Sequence, residues 1–255
     1  PRLSGEVKPD FYDKDYYLGT NKSNWDKPYG WEYFNKLFKE WAVFLIVGFP
    51  EAGKFIDVGC ARGFLEKAFV DLAERNQRDD IHIEGFDLSP WAIENAEPEA
   101  KPFVSVASVD DYTFDREFDV MVSLDTFEHL TEEQITSFLM RSRRFIRDFG
   151  FFVIALDEER QRHEPSHVNL KDREWWDGKF IECGWISNWQ TKMKTALAQK
   201  SKFIHTCRVE VFIYRAQPEA EKTIITPYDE ELLELARVER WKNPEKINNG
   251  IQSRH

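Results

Sequence analysis

The stretch Phe55-Ile-Asp-Val-Gly-Cys-Ala-Arg-Gly63, read together with Asp87, constrains this chain most. An apolar run ends in an acid, Asp57, and a loop of small residues. That loop opens a segment in which Phe64, Leu65, Ala68, Phe69 and Leu72 recur at helical spacing. A second apolar run, 81–86, then ends in Asp87. Strand, small-residue loop, helix and strand in this order make a parallel unit, whose ligand lies beyond the carboxyl ends of the strands. Gly59 and Gly63 let a ligand approach the backbone, and the first turn of the helix offers unpaired N–H groups. Asp87, about 24 residues after Gly63, is placed to accept from both hydroxyls of a ribose. A nucleoside-bearing ligand is expected, and a dinucleotide satisfies the same features.

The alternation continues along the chain. An amphipathic helix over 31–47 precedes a strand at 54–58, a helix at 64–75 and a strand at 81–86. A short helix at 90–96, stopped by Pro98, leads to strands at 102–106 and 118–124. Thr131-Glu-Glu-Gln134 is a capping box, opening a helix expected to reach about Arg147 and to close at Gly150. A strand follows at 151–156, then a helix at 171–183 ended by Gly184. Strands near 185–191 and 205–214, with no room expected for a crossover helix, suit an antiparallel pair. Strands separated by helices predict an α/β fold with a doubly wound, mostly parallel sheet and an antiparallel last strand. Residues 1–50 read as an arm and helical cap, 51–216 as the main domain, and 217–255 as a charged helical extension or linker. The aromatic run Phe11-Tyr-Asp-Lys-Asp-Tyr-Tyr17 suits either a lid or an arm over the edge of the core.

The formal net charge of -11 argues against sequence-independent binding to a nucleic-acid backbone, which needs clustered Lys and Arg. Three widely spaced cysteines, Cys60, Cys183 and Cys207, give no disulfide framework and no cysteine-based zinc site. They point to a reducing compartment. No apolar run approaches the roughly 20 residues that span a bilayer, and no secretory signal is evident. A cytoplasmic protein is the expectation. The chain begins at Pro1 rather than Met, which leaves a longer parent protein open.

From Lys54 to Tyr214 the chain resembles the class I S-adenosylmethionine-dependent methyltransferases. The resemblance rests on Asp57-Val-Gly-Cys-Ala-Arg-Gly63, Gly85-Phe-Asp-Leu-Ser89, Phe118-Asp-Val-Met-Val-Ser123 and the late strand pair. The family's first motif usually has three glycines; here the middle one is Ala61, which implies a slightly tighter loop. The resemblance implies a Rossmann-like fold with S-adenosylmethionine as cofactor. Asp57 would face the cationic amino-acid part, with Gly59, Cys60, Ala61 and Gly63 along the methionine. Asp87 would hold the ribose and Leu88 would pack on the adenine. Ser108, Val109 and Asp110 would surround the adenine edge, while Leu124 and Asp125 would border the sulfonium.

The acceptor side falls after the fourth and fifth main strands. The spacing of Asp125, Glu128 and His129 can place all three on one side of a helical turn, and His163 and His167 follow at the same sheet edge. Two carboxylates and two imidazoles suit a divalent metal of mixed oxygen and nitrogen preference, Mg or Mn. The spacing Asp125-x-x-Glu128-His129, with His167 ahead of Trp175, resembles metal-supported O-methyltransferases of small RNAs and of the ubiquinone pathway, in which the first acid is usually Glu. A neutral His129 or His167 acting as general base is the alternative. His163-Glu-Pro-Ser-His167-Val-Asn-Leu, with Glu174-Trp-Trp176, resembles methyltransferases of sugar and glycan modification. Trp175 and Trp176 suit either burial or stacking on a sugar, burial being the commoner fate.

The expected activity is methyl transfer to a hydroxyl of a sugar, glycan or other small molecule. Its rivals are an RNA 2′-hydroxyl or protein methyltransferase, a non-catalytic cofactor-binding module and a nicotinamide-dependent dehydrogenase. The extension after residue 216 is a candidate for a homo-oligomer contact or a further domain.

Overall fold

The computed structural model describes residues 3, 5–19, 23, 27–76, 78–157, 163–188, 191–192, 194–195, 198 and 209–216. A short helix α1 (Lys14–Tyr17) and the long α2 (Trp31–Gly48) precede the alternating region. There β1 (Lys54–Val58), α3 (Phe64–Asn76), β2 (His82–Asp87), α4 (Pro90–Glu94), β3 (Val104–Val106) and β4 (Phe118–Leu124) follow in turn. After them come α5 (Glu132–Ser142), β5 (Ile146–Ala155), α6 (Arg173–Glu182), β6 (Trp185–Ile186) and β7 (Val209–Ala216). The seven strands form one sheet in the order β3-β2-β1-β4-β5-β7-β6. β1 to β5 run parallel, and β7 pairs antiparallel with both β5 and β6. The strand order reverses between β1 and β4, which places a ligand site beyond the carboxyl ends of those strands.

The strands explain the layers. In a strand successive side chains face opposite sides, and both faces here are apolar. Phe55, Val120, Val122, Phe151, Val153, Val211 and Ile213 share one buried cluster with α2 and α3. Ile56, Met121, Phe152, Ile154, Phe212 and Tyr214 share the other with α5 and α6. Near-continuous apolar runs are what a sheet covered on both faces requires. Trp41 of α2 meets Phe151 edge to face with ring centroids 5.4 Å apart, so this helix packs directly on the sheet.

β1 and β4 occupy the predicted residues, and α2 and α3 extend one residue further than predicted. β3 is shorter than expected, because Lys101–Phe103 turn as a 3-10 helix before it. The capping box forms as the spacing requires: Thr131 Oγ1 accepts from Gln134 N at 3.3 Å, and Gln134 Oε1 accepts from Thr131 N at 3.0 Å. Such a cap stabilises a helix by about 1 kcal/mol.

The far end of α5 corrects the sequence reading. The helix stops at Ser142 rather than near Arg147, and Ile146 already pairs with Phe118 of β4. Gly150 is not a helix stop; it lies inside β5, where an added Cβ would come within 2.7 Å of the Trp185 ring. Close ring packing over the strand, rather than a turn, requires glycine there. β6 is likewise only two residues long. Residues 191, 192, 194, 195 and 198 between β6 and β7 are helical, so the pair is not a tight hairpin. Part of the 205–214 prediction, the helix expected after Thr226 and Cys207 lie outside the described residues.

Candidate functional site

Beyond the carboxyl ends of β1, β2, β4 and β5 lies a cavity of about 580 Å³. Its floor comes from the β1–α3 loop. Gly59 and Gly63 take φ of 82° and 70°, values open to glycine at little cost. A Cβ on Gly59 would run into Thr126, and one on Gly63 would come within 2.6 Å of Ala100 Cβ. Ala61, at the usual middle glycine, is held at φ 48°, a left-handed conformation that costs a side-chain-bearing residue about 1–2 kcal/mol. Asp125 does the same at φ 53°. Both strained residues stand on the cavity wall, where such strain is commonly found.

Asp87 closes β2 and binds this loop. Its Oδ2 accepts from Ala61 N and its Oδ1 from Ser89 N, each at 2.8 Å. Burial raises its carboxyl to about 6, against the pull of those two donors. Asp57 is 3% exposed, and its Oδ1 has no hydrogen-bond partner. Burial first, and the neighbouring Asp87 second, push the Asp57 carboxyl up to about 8. An orphaned buried carboxylate oxygen is costly, and on a cavity wall it is suited to a donor carried by a ligand.

Another part of the wall carries the His residues. Glu128 is fully buried; its Oε1 accepts from Ala155 N at 3.0 Å and its Oε2 has no partner. Burial, then the charge of Asp125, lifts its carboxyl well above the usual range. His129 Nδ1 lies 3.2 Å from the Ser166 carbonyl oxygen. A carbonyl only accepts, so Nδ1 carries the proton and Nε2 keeps its lone pair. Burial, then His167, holds the His129 imidazole well below its ordinary pKa. The two imidazoles meet edge to face at 4.7 Å between centroids. Glu128, His129 and His167 each place a ligand-type atom within 4.8 Å of the others. Asp125 stands outside that group: it lines the cavity, remains exposed there, and partial desolvation by the surrounding wall raises its carboxyl to about 7.

The structure thus brings Asp57, Gly59, Cys60 and Ala61 into one cavity with Asp87 and Leu88. Ser108, Val109, Leu124 and Asp125 line the same space, as do Glu128, His129 and His167. Gly63 lies beneath the loop rather than on the wall. Asp110 does not line the cavity either; it is exposed, and its Oδ2 accepts from Gln134 Nε2 at 2.7 Å. His163 is also exposed and away from it. Trp176 is fully buried between Phe127 and Phe180, and Trp175 packs against it under the Lys171 and Lys179 ammonium groups. Trp176 is thus buried, while Trp175 stays half-buried against it.

Tyr12, Tyr16 and Tyr17, from the aromatic run read as a lid or an arm, line the cavity together with Tyr29. Tyr17 stacks on Trp91 at 5.5 Å, the Ser89 hydroxyl donates to the Tyr12 carbonyl, and Leu3 N donates to the Pro165 carbonyl at 2.9 Å. The run 11–17 thus packs over the cavity edge, on Trp91 and Ser89. Glu164, 1% exposed, accepts from the Ser166 hydroxyl at 2.8 Å and lies inside the same His163–Leu170 segment that carries His167. Glu66 is fully buried beneath the loop, with both carboxyl oxygens unpartnered, although its helical position reads as an ordinary polar one.

Among the described residues no helix is long and apolar enough to cross a membrane. No curated protein sequence matches the chain. Among solved structures, a SAM-dependent methyltransferase from Archaeoglobus fulgidus is similar at a TM-score of 0.51 and 15% identity, over 71% of this chain and 94% of that one. A protein described as an O-methyltransferase from Nostoc punctiforme is similar at a TM-score of 0.51 and 11% identity, over 71% of this chain and 56% of that one. These likenesses show the fold. Residues 31–199 match the family described as a methyltransferase domain. That span includes α2, the glycine loop, Asp87 and the Glu128–His167 cluster, so the chain belongs to the methyltransferase-domain family and is an S-adenosylmethionine-dependent methyltransferase.

Proposed function

We propose that the enzyme methylates a hydroxyl on a sugar or other small molecule, with the acceptor seated against Glu128, His129 and His167. The observation that carries this reading is the bond from His129 Nδ1 to the Ser166 carbonyl. It leaves Nε2 as a proton acceptor in the cavity that also holds Asp57 and Asp87.

S-adenosylmethionine supplies an electrophilic methyl group on a sulfonium. The residues present suit it. Asp57 offers its unpartnered Oδ1 to the ammonium group, Asp87 offers its carboxylate to the ribose, and Leu88 and Val109 offer apolar surface to the adenine. On the acceptor side, His129 Nε2 takes the proton that a hydroxyl gives up as its oxygen gains the methyl group. His167 packs against the His129 ring and, with Glu164 and Tyr12, shapes the acceptor end. The arm tyrosines exclude water, and holding both partners in line supplies a large share of the rate.

A second reading is favoured by one observation. Glu128 Oε2 is buried without a partner, and His129 donates its other nitrogen to a carbonyl, as metal-bound imidazoles do. Glu128, His129 and His167 would hold a Mg or Mn ion, which would lower the pKa of an acceptor hydroxyl.

Transfer of labelled methyl groups to a panel of hydroxyl acceptors, with and without a chelator, tests both readings. His167→Ala should cut turnover while cofactor affinity stays nearly intact. Unchanged turnover removes His167 from the acceptor site, and chelator-resistant turnover removes the metal.

A further inference from the structure

We infer that the acceptor is compact and carries no phosphate or carboxylate: a neutral or amine-bearing molecule, not a sugar nucleotide. This inference rests on the methyl-transfer reading and narrows it. Its basis is the charge of the cavity wall. Asp57, Asp87, Asp125, Glu128 and Glu164 all line the cavity, and Glu6 lines it while pairing with Lys8 at 2.7 Å. Among the described residues a single Lys or Arg lines it, Lys27, and that side chain is exposed and sits 5.6 Å over the Tyr33 ring. Arg62, next to the loop, is committed elsewhere: it donates to the carbonyls of Asn95 and Tyr29 and faces Glu97 at 3.7 Å.

Asp57 Oδ1 is the atom offered to the cofactor's ammonium group. On the acceptor side the buried wall carboxyls are Glu128, 0% exposed with Oε2 unpartnered, and Glu164, 1% exposed. A phosphate brought among them would be a buried anion with no basic side chain to pair it, which is strongly unfavourable. The cofactor does not meet this barrier, because its ammonium and sulfonium outweigh its one carboxylate. Burial has raised the carboxyls of Asp57 and Asp87, which ionise beside the cofactor's own cationic groups.

Size and polarity agree. The cavity of about 580 Å³ must take cofactor and acceptor together, and a sugar nucleotide is larger than the cofactor. Away from the Glu128 side the wall is apolar, formed by Phe34, Leu37, Phe38 and Trp41 of α2 with Leu124 and Val153. That surface fits the carbon skeleton of a small alcohol, phenol or aminosugar.

The test uses the full chain. First, S-adenosylhomocysteine is titrated in; absence of binding overturns the methyl-transfer reading itself. Then uridine diphosphate glucose and glucose 1-phosphate are titrated into the saturated protein, beside transfer assays on matched pairs of phosphorylated and unphosphorylated acceptors. The inference expects no one-site isotherm from either anion and at least a tenfold higher kcat/KM for the unphosphorylated or amine-bearing member. A one-site isotherm from either anion, or equal turnover of a phosphorylated member, overturns it while leaving the methyl-transfer reading in place. The titrations decide the matter even where no acceptor in the panel is turned over.

Discussion

Ala61 donates its backbone N–H to Asp87 Oδ2 at 2.8 Å, joining the glycine loop of β1 to the end of β2. One carboxylate thus shapes the loop and lines the cavity. Asp87→Ala removes both bonds to backbone donors, each worth about 1.5–3 kcal/mol for a charged acceptor. The affinity for S-adenosylhomocysteine should fall about a hundredfold or more, as read by calorimetry. Asp87→Asn should fall less, because one oxygen still accepts.

The loop itself makes a contrast between two neighbours. Gly59→Ala puts a Cβ into Thr126 at φ 82°. It should lower stability by more than the roughly 1–2 kcal/mol of the backbone strain alone and weaken cofactor binding. Ala61→Gly relieves strain at φ 48° without adding an atom, so its cofactor affinity should stay within about threefold of wild type. Thermal unfolding and titration of both variants check the pair.

Proton handling separates from cofactor binding at His129. His129→Gln keeps a donor toward the Ser166 carbonyl but removes the basic nitrogen. Turnover should drop by about a hundredfold or more, with a Kd for S-adenosylhomocysteine near that of wild type. Retained turnover would assign the proton to another group.

The acids predict a pH dependence for the empty protein. Asp87, Asp125 and Asp57 have carboxyls raised to about 6, 7 and 8 in the folded state. The folded chain therefore binds more protons than the unfolded one from about pH 4 upward, and stability falls as pH rises through 6 to 8. His129, held neutral, acts in the opposite sense below its ordinary value of about 6.5. The three carboxyls outweigh it. Melting temperature without cofactor should decline from pH 5 to pH 8. Binding of the cationic cofactor should release protons, so its heat should vary with the ionisation enthalpy of the buffer.

Much of this was legible because strand ends and small-residue loops are local signals. β1 and β4, the capping box and the residues at their carboxyl ends follow from apolar runs and their stops. What escaped depends on packing between distant segments. Gly150 reads as a helix stop, yet the rings of Phe152 and Trp185 over β5 are what require it. Asp110 follows β3 as expected, but Gln134 draws its carboxylate to the surface. Glu66 reads as one polar residue of a helix, and only the approach of Gly85 and Cys60 shows that it is enclosed. The aromatic run 11–17 was visible, but its docking on Trp91 and Ser89 is a contact that no spacing in the sequence encodes.

We propose two ends to the one cavity, a cofactor end at Asp57 and Asp87 and an acceptor end at Glu128, His129 and His167. Calorimetric titration of S-adenosylhomocysteine into wild type, Asp87→Ala and His129→Gln tests it most directly. The account predicts one-site binding in wild type, loss of about a hundredfold or more in Asp87→Ala and near wild-type affinity in His129→Gln. Equal binding in all three proteins, or loss confined to His129→Gln, would contradict it.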